Sequence, residues 1–122
     1  MQEKRTWIIT GGIFGFLGVA LGAFGAHGLK AILSAEMMEI YKTGVFYQLV
    51  HSVVILAVAF GGEAKYFKAA VFFAIGIVLF SFSLYLYSMT QVIAFAIVTP
   101  FGGISFLIGW LLLIISAAKK QK

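Results

Sequence analysis

The sequence predicts an all-α integral membrane protein, a bundle of four transmembrane helices that run alternately up and down. Hydrophobic residues make up 62% of the 122 residues and charged residues only 11%, whereas soluble domains average roughly 45–50% and 25%. Charged residues are also absent from residues 7–29, 43–62 and 69–118. The last of these stretches is long enough for two spans of about 20 residues each. A row of glycines in the first stretch indicates close packing between helices.

The first span is predicted at Trp7–Gly28, which as a helix is about 33 Å long and crosses a hydrocarbon core of roughly 30 Å. This apolar stretch is longer than a signal-peptide core of about 7–15 residues, which predicts a retained helix. Its glycines are spaced three or four residues apart and share one face, where a neighbouring backbone can approach closely. They are Gly11, Gly15, Gly18, Gly22 and Gly25.

Residues 29–43 are predicted to form an external amphipathic segment between spans one and two, which either lies on the membrane or caps the bundle. Its apolar residues follow a helical spacing, and its charged residues occupy the other positions. Ser34 is a suitable N-cap for a helix that starts directly after it, and such a helix can continue without a break into span two. Span two is predicted at residues 44–60, ended by Gly61 and Gly62.

Span three is predicted at residues 69–90, with Gln91 at the outer turn. Counting back about 20 residues from the C-terminal lysines places span four at residues 99–118. Its first residue, a threonine, then serves as N-cap and Pro100 as the first helical residue, positions that both residue types favour. This leaves Val92–Val98 as an apolar connector on the outer side, either interfacial or re-entrant.

Small residues recur on span four at Gly102, Ser105 and Gly109, again three or four residues apart. They form a second groove, which can pair with the glycine face of span one. A chain of this size has a limited interior, so we also predict a homo-oligomer that associates through a small-residue face left uncovered. Membrane lipids are the other predicted partners.

Basic residues are distributed unevenly across the predicted topology. Two of them, Lys30 and Lys42, lie on the outer side, and seven lie on the other side. The seven are Lys4, Arg5, Lys65, Lys68, Lys119, Lys120 and Lys122. This positive-inside pattern predicts that both termini are cytoplasmic. Basic groups beside anionic lipid head groups also account for the net charge of +5, so no nucleic acid partner is predicted.

Few polar side chains lie inside the predicted spans, and these are the candidates for a binding site. Gln48 and His51 share one face of span two, while Ser81 and Tyr85 share one face of span three. His27 closes the outer end of span one. The candidate polar site consists of His27, Gln48, His51, Ser81, Tyr85 and Thr99.

Three interpretations of His51 stay open. It is a neutral histidine that ties helices together, a member of a proton relay or ligand site, or a ligand of a haem or metal ion. Haem ligation would need His27 at a matching depth, whereas His27 is expected near the surface. Neither histidine stands in a zinc-binding motif, and the chain has no cysteine. We therefore predict no metal site and no cofactor.

An enzymatic activity is not predicted. All four carboxylates lie outside the spans, and the chain contains no aspartate, so a Ser–His–Asp triad cannot form. Glu36 and Glu39 are three residues apart on a surface helix, a spacing typical of a solvated helix face. The glycines precede no phosphate-binding lysine. The sequence therefore predicts no catalytic residues.

Four sequence blocks, taken together and in order, resemble the motifs of one protein family. They are LGAFGAHGL (Leu21–Leu29), YKTGVFYQLVHS (Tyr41–Ser52), LFSFSLYLY (Leu79–Tyr87) and TPFGGISFLIGW (Thr99–Trp110). They resemble the domain of unknown function 423 family, also called uncharacterised protein family 0382, over nearly the whole chain. The resemblance implies a four-helix integral protein of the bacterial inner membrane. It implies no established activity.

Three functional hypotheses follow from these residues. The first is a non-enzymatic helical bundle that binds lipid or a protein partner, because the chain has little beyond packing residues. The second is a small transporter or channel with a polar site around His51, which requires a wet path past Gln48 and His51. The third is a carrier of haem or another small cofactor.

Overall fold

The computed structural model describes residues 2–119, and within them it contains four helices long and apolar enough to cross a membrane. Three of these are α1 (Gln2–Gly28), α2 (Ala35–Gly61) and α4 (Ile93–Ala118). α3 has an α-helical part, a π-helical part and a second α-helical part, Phe67–Gly76, Ile77–Ser81 and Phe82–Thr90, after a 3₁₀ turn at Ala64–Tyr66. The predicted all-α membrane architecture is confirmed.

The chain reverses direction close to the predicted turn residues. Ser34 caps α2, because its Oγ accepts a hydrogen bond from the Met37 backbone N–H at 3.1 Å. α2 ends at Gly61, and Gly62 follows with φ 73°, a left-handed conformation that glycine adopts at no steric cost. Gln91, at the turn between α3 and α4, also has a positive φ of 57°.

The predicted amphipathic segment is divided between a turn and the beginning of α2. Residues 29–34 form the turn, and residues 35–43 are the first turns of a helix that continues without a break to Gly61. Leu29 and Tyr41 of this segment pack onto the bundle and are buried with Tyr85 of α3, whereas Ile32 is exposed. The helical prediction therefore holds for residues 35–43, whereas residues 29–34 form a turn, and the segment is not a separate element.

The predicted start of the fourth helix is wrong. α4 begins at Ile93 with Val92 as its N-cap, so the predicted connector Val92–Val98 is mostly helix. Thr99 is not an N-cap and Pro100 is not the first helical residue, since both lie inside α4. Pro100 removes one backbone donor, but the helix continues because apolar surroundings penalise the many unpaired groups that an unwound segment would expose.

The glycine face of α1 packs against α2. A Cβ atom added to Gly18 would lie 2.6 Å from Leu49 Cδ2, and one added to Gly11 would lie 2.9 Å from Leu56 Cδ2. At Gly25 it would collide with the ring of Tyr41. The two helices can approach closely because α1 has no side chains there. The sequence predicts this close face, but its partner is α2 rather than the small-residue groove of span four.

The small residues of α4 pack against α3 instead. Ser105 Oγ donates a hydrogen bond to the Phe72 carbonyl at 2.7 Å. Two phenylalanines fit over glycines of the facing helix, Phe106 over Gly76 and Phe73 over Gly109. This reciprocal fit favours α3 as the partner of α4. The helices therefore pack in chain order, α1 on α2, α2 on α3 and α3 on α4.

Candidate functional site

Gln48 connects three helices at the midpoint of α2. Its side chain is fully buried. Its Nε2 donates a hydrogen bond to the Phe14 carbonyl of α1 at 2.8 Å, and its Oε1 accepts one from the Tyr85 hydroxyl of α3 at 2.6 Å. The amide group therefore has a partner for its oxygen and for one of its N–H groups, both inside the protein.

The residues around Gln48 leave room for its contact with Tyr85. Gly44 lies one turn earlier on α2, and a Cβ atom there would be 2.7 Å from Tyr85 Cε1. The missing side chain lets the ring of Tyr85 lie against α2 and reach Gln48. Tyr41 packs beside it, with 5.1 Å between the two ring centroids. The Tyr41 hydroxyl donates a hydrogen bond to the Leu21 carbonyl of α1.

His51 belongs to a different contact, between α2 and α4. Its Nδ1 is 2.8 Å from the Tyr47 carbonyl oxygen, and its Nε2 is 3.1 Å from Trp110 Nε1. A carbonyl only accepts and an indole N–H only donates, so Nδ1 carries the proton and Nε2 accepts. The ring also stacks on Phe106 with 3.8 Å between centroids. These contacts fit the neutral imidazole, the first of the three interpretations of His51.

The residues of the predicted polar site do not form a single cluster. Gln48 and His51 are both buried on α2. Residues three apart point about 60° away from each other around a helix. On α2 this angle is enough to give the two side chains different hydrogen-bond partners. Gln48 is hydrogen-bonded to α1 and α3, whereas His51 is hydrogen-bonded to α4 and also packs against Phe73 of α3. The structure therefore joins Gln48 with Tyr85 but separates both from His51.

The remaining predicted residues have other surroundings. Thr99 Oγ1 lies 2.6 Å from Ser83 Oγ and ties α4 to α3. Ser81 is fully buried in the π-helical part of α3, and within residues 2–119 its hydroxyl has no hydrogen-bond partner. His27 is exposed at the end of α1. Because Gly15 faces Ser52, His27 lies about 18 Å further along α1 from the level of His51.

A cleft lies between α2 and α4, which we call the α2–α4 cleft. One part is a cavity of about 420 Å³, whose aromatic wall includes Tyr47, His51 and Trp110. The other lining residues are Phe80 of α3 and, from α4, Pro100, Gly103, Ile104, Phe106 and Leu107. Ile104 and Leu107 are exposed. The cavity therefore opens sideways, toward the lipid that surrounds a membrane bundle.

Comparison with known proteins agrees with the four motif blocks. The family model described as "Protein of unknown function (DUF423)" matches residues 21–103. The chain belongs to the DUF423 family. It is 40% identical over 125 residues to the UPF0382 inner membrane protein YgdD of Escherichia coli K12, covering 99% of this chain and 95% of YgdD. It is 38% identical over 120 residues to the UPF0382 membrane protein YwdK of Bacillus subtilis, covering 94% and 98% respectively.

No solved structure matches this DUF423 family member. Its relatives YgdD and YwdK are named as inner membrane and membrane proteins, and its own four helices are long and apolar enough to span a bilayer within the described residues. It is a multi-pass membrane protein, and location in the inner membrane fits both observations.

Sequence reasoning about this DUF423 family member did not single out Trp110 or Phe106, although both contact His51. The signal in the sequence was the position of Trp110. Tryptophan is enriched at membrane interfaces, whereas Trp110 lies well inside the apolar stretch that ends before Lys119. A tryptophan at that depth needs an acceptor for its indole N–H, and His51 provides one.

Proposed function

We propose that this DUF423 family member is a non-enzymatic helical bundle that binds a membrane lipid in the α2–α4 cleft. The observation that carries this proposal is the cavity of about 420 Å³ between α2 and α4. Its volume falls within the range of roughly 300–1,000 Å³ that is typical of small-molecule sites. It is open on the side where Ile104 and Leu107 are exposed, so a lipid can enter directly from the bilayer.

The polar groups of His51 and Trp110 in the cleft wall are already hydrogen-bonded within the protein, which favours an apolar ligand. Both ring nitrogens of His51 already have partners, the Tyr47 carbonyl and the Trp110 indole. A ligand in the cavity would therefore meet aromatic and aliphatic surfaces. Such surfaces suit a hydrocarbon chain, which needs contact but no hydrogen bond.

The two other hypotheses have less support. Proton-coupled transport through His51 would require breaking its contact with Trp110, and Gln48 faces different helices. Haem ligation by the two histidines would require their imidazoles at one level, whereas they differ by about 18 Å along the bundle. Lipid binding needs neither rearrangement.

Filling the cavity tests lipid binding. Gly103 lines the cavity, and a Cβ atom there would only make ordinary contacts, the nearest at 3.8 Å to Phe80. We expect Gly103→Leu to fold normally but to retain several-fold less lipid after purification in mild detergent, because its side chain occupies the cavity. Native mass spectrometry measures the retained lipid.

Gly12→Leu is the matched control for this variant. Gly12 is on the exposed side of α1, and a Cβ atom there would have no neighbour within 4 Å. It adds the same side chain away from the α2–α4 cleft, so it is expected to retain as much lipid as the unchanged protein. Equal retention by all three proteins would contradict the proposal.

We also propose that both termini are cytoplasmic. Support comes from the distribution of basic residues, seven on the side of the termini and two on the other side. A phosphatase and a fluorescent-protein reporter fused after Lys122 test this proposal. We expect fluorescence without phosphatase activity, because alkaline phosphatase folds only outside the cytoplasm. The reverse result would contradict the proposed orientation.

A further inference from the structure

The α2–α4 cleft contains a second cavity, which adjoins the first at Trp110. This second cavity of about 360 Å³ is lined by Trp110 and Leu113 of α4, by residues of α2, and by Glu63 and Tyr66 of the α2–α3 connection. Trp110 lines both cavities. On α4 the lining extends from Pro100 to Leu113, about 20 Å along the helix axis. One leaflet of the hydrocarbon core is about 15 Å thick, so the cleft is long enough for one acyl chain.

The second cavity ends beside positively charged groups. Lys65 Nζ is 3.9 Å from Glu63 Oε1 and 5.2 Å from the ring centroid of Tyr66, and both partners line the cavity. Lys4 extends from α1 to the same connection, where its Nζ lies 3.9 Å from the position of a Cβ atom on Gly62. Two ammonium groups therefore lie near the α2–α3 connection at the end of the second cavity.

The charge balance at this end of the bundle favours an anion. Its described acidic residues are Glu3 and Glu63, and its described basic residues are Lys4, Arg5, Lys65, Lys68 and Lys119. At the opposite end, Lys30 and Lys42 are balanced by Glu36 and Glu39, and Lys42 lies 3.7 Å from Glu39. Only the first end has an excess of positive charge among residues 2–119, and the α2–α4 cleft leads to that end.

We propose that the ligand of the α2–α4 cleft is an anionic phospholipid. One acyl chain lies along the cleft past Trp110, and the phosphate lies near Lys4 and Lys65, where basic side chains attract anionic head groups. This inference rests on the proposed function and adds the chemical class of the lipid. The apolar length of the cleft selects a lipid over a free phosphate ion, and the two lysines select an anionic head group over a zwitterionic one.

Two lipids with identical chains test the head group. The protein in mild detergent is mixed with equal amounts of dioleoyl phosphatidylglycerol and dioleoyl phosphatidylcholine, and native mass spectrometry counts each bound lipid. We expect phosphatidylglycerol to be preferred. In the variant K4Q/K65Q the preference falls about fivefold for each lysine removed, the factor expected for one basic group near an anionic lipid.

The control variant is K30Q/K42Q, which removes the same charge from the opposite end of the bundle. It is expected to keep the preference of the unchanged protein. Equal binding of the two lipids, or the same loss of preference in K30Q/K42Q, would overturn the assignment of an anionic head group. If both lipids bind equally and Gly103→Leu removes both, lipid binding stands and only the head-group inference fails. If Gly103→Leu changes neither, the proposed site itself is wrong.

Discussion

Gly102→Ala is expected to lower the free energy of unfolding by about 3 kcal/mol, near the upper end for overpacked cores. A Cβ atom on Gly102 would lie 2.6 Å from the Leu79 carbonyl carbon and 2.7 Å from Phe80 Cα. These are backbone atoms of α3, which cannot rotate away as a side-chain terminus can. The helices α3 and α4 would have to separate, and the contact of Ser105 with Phe72 would be weakened.

The neighbouring glycine provides the control. Gly103→Ala adds the same methyl group one residue later, where its nearest neighbour is the Phe80 ring at 3.8 Å. Its free energy of unfolding is expected to stay within about 0.5 kcal/mol of the unchanged protein, as for most substitutions without a clash. Unfolding by sodium dodecyl sulfate in mixed micelles, followed by circular dichroism, measures both. Similar stabilities for the two variants would show that α3 and α4 do not pack as described.

Removing the Gln48 side chain is expected to produce the second large effect. Gln48→Leu removes both hydrogen bonds of the amide and leaves the buried Tyr85 hydroxyl without its acceptor. An unpaired buried donor costs about 1–3 kcal/mol, and we expect a loss of stability in this range. Tyr85→Phe removes the hydroxyl itself and is expected to cost less.

The double variant Q48L/Y85F separates the hydrogen bond from other effects. It is expected to be more stable than the sum of the two single losses predicts, by about 0.6 kcal/mol and at most about 1.7 kcal/mol, the average and the maximum of side-chain hydrogen-bond couplings between membrane helices. Tyr87→Phe serves as the control, since Tyr87 lies on the same helix and takes no part in the hydrogen bonds of the Gln48 amide. Strict additivity of the two losses in the same micelle titration would contradict a direct bond between Gln48 and Tyr85.

The hydrogen bonds of Gln48 lie away from the α2–α4 cleft, whereas the contacts of His51 form part of its wall. Gln48 and Tyr85 fix α2 against α1 and α3, away from the cleft. His51, Phe106 and Trp110 form part of its wall. We therefore expect Gln48 variants to affect stability more than lipid preference, whereas variants that fill the cleft affect lipid retention more than stability.

Local signals in the chain were sufficient for most helix boundaries. Ser34 caps α2 and Gly62 ends it as expected, because the N-cap hydrogen bond and the positive φ involve only residues near each other in sequence. The same local reasoning failed at Thr99 and Pro100. These residues favour a helix start, but α4 begins at Ile93 because continuing the helix pairs more backbone groups in an apolar environment.

The candidate site could be predicted only in part. The depth of Gln48 and His51 followed from the length of span two, and a buried polar side chain must find a partner. Their partners, Tyr85 and Trp110, lie 37 and 59 residues away in the chain. Helical spacing relates residues within one helix, so it cannot say which neighbour a given face meets.

The sequence by itself determined that the protein is a membrane protein with four helical spans, and which faces of α1 and α4 allow close approach. Hydrophobicity and the spacing of small residues depend on single helices and are visible in the chain. Only the tertiary structure decided that α1 pairs with α2 and α4 with α3. That choice depends on the fit of side chains such as Tyr41 over Gly25 and Phe106 over Gly76, which exists only once two helices meet. The α2–α4 cleft is a consequence of this pairing.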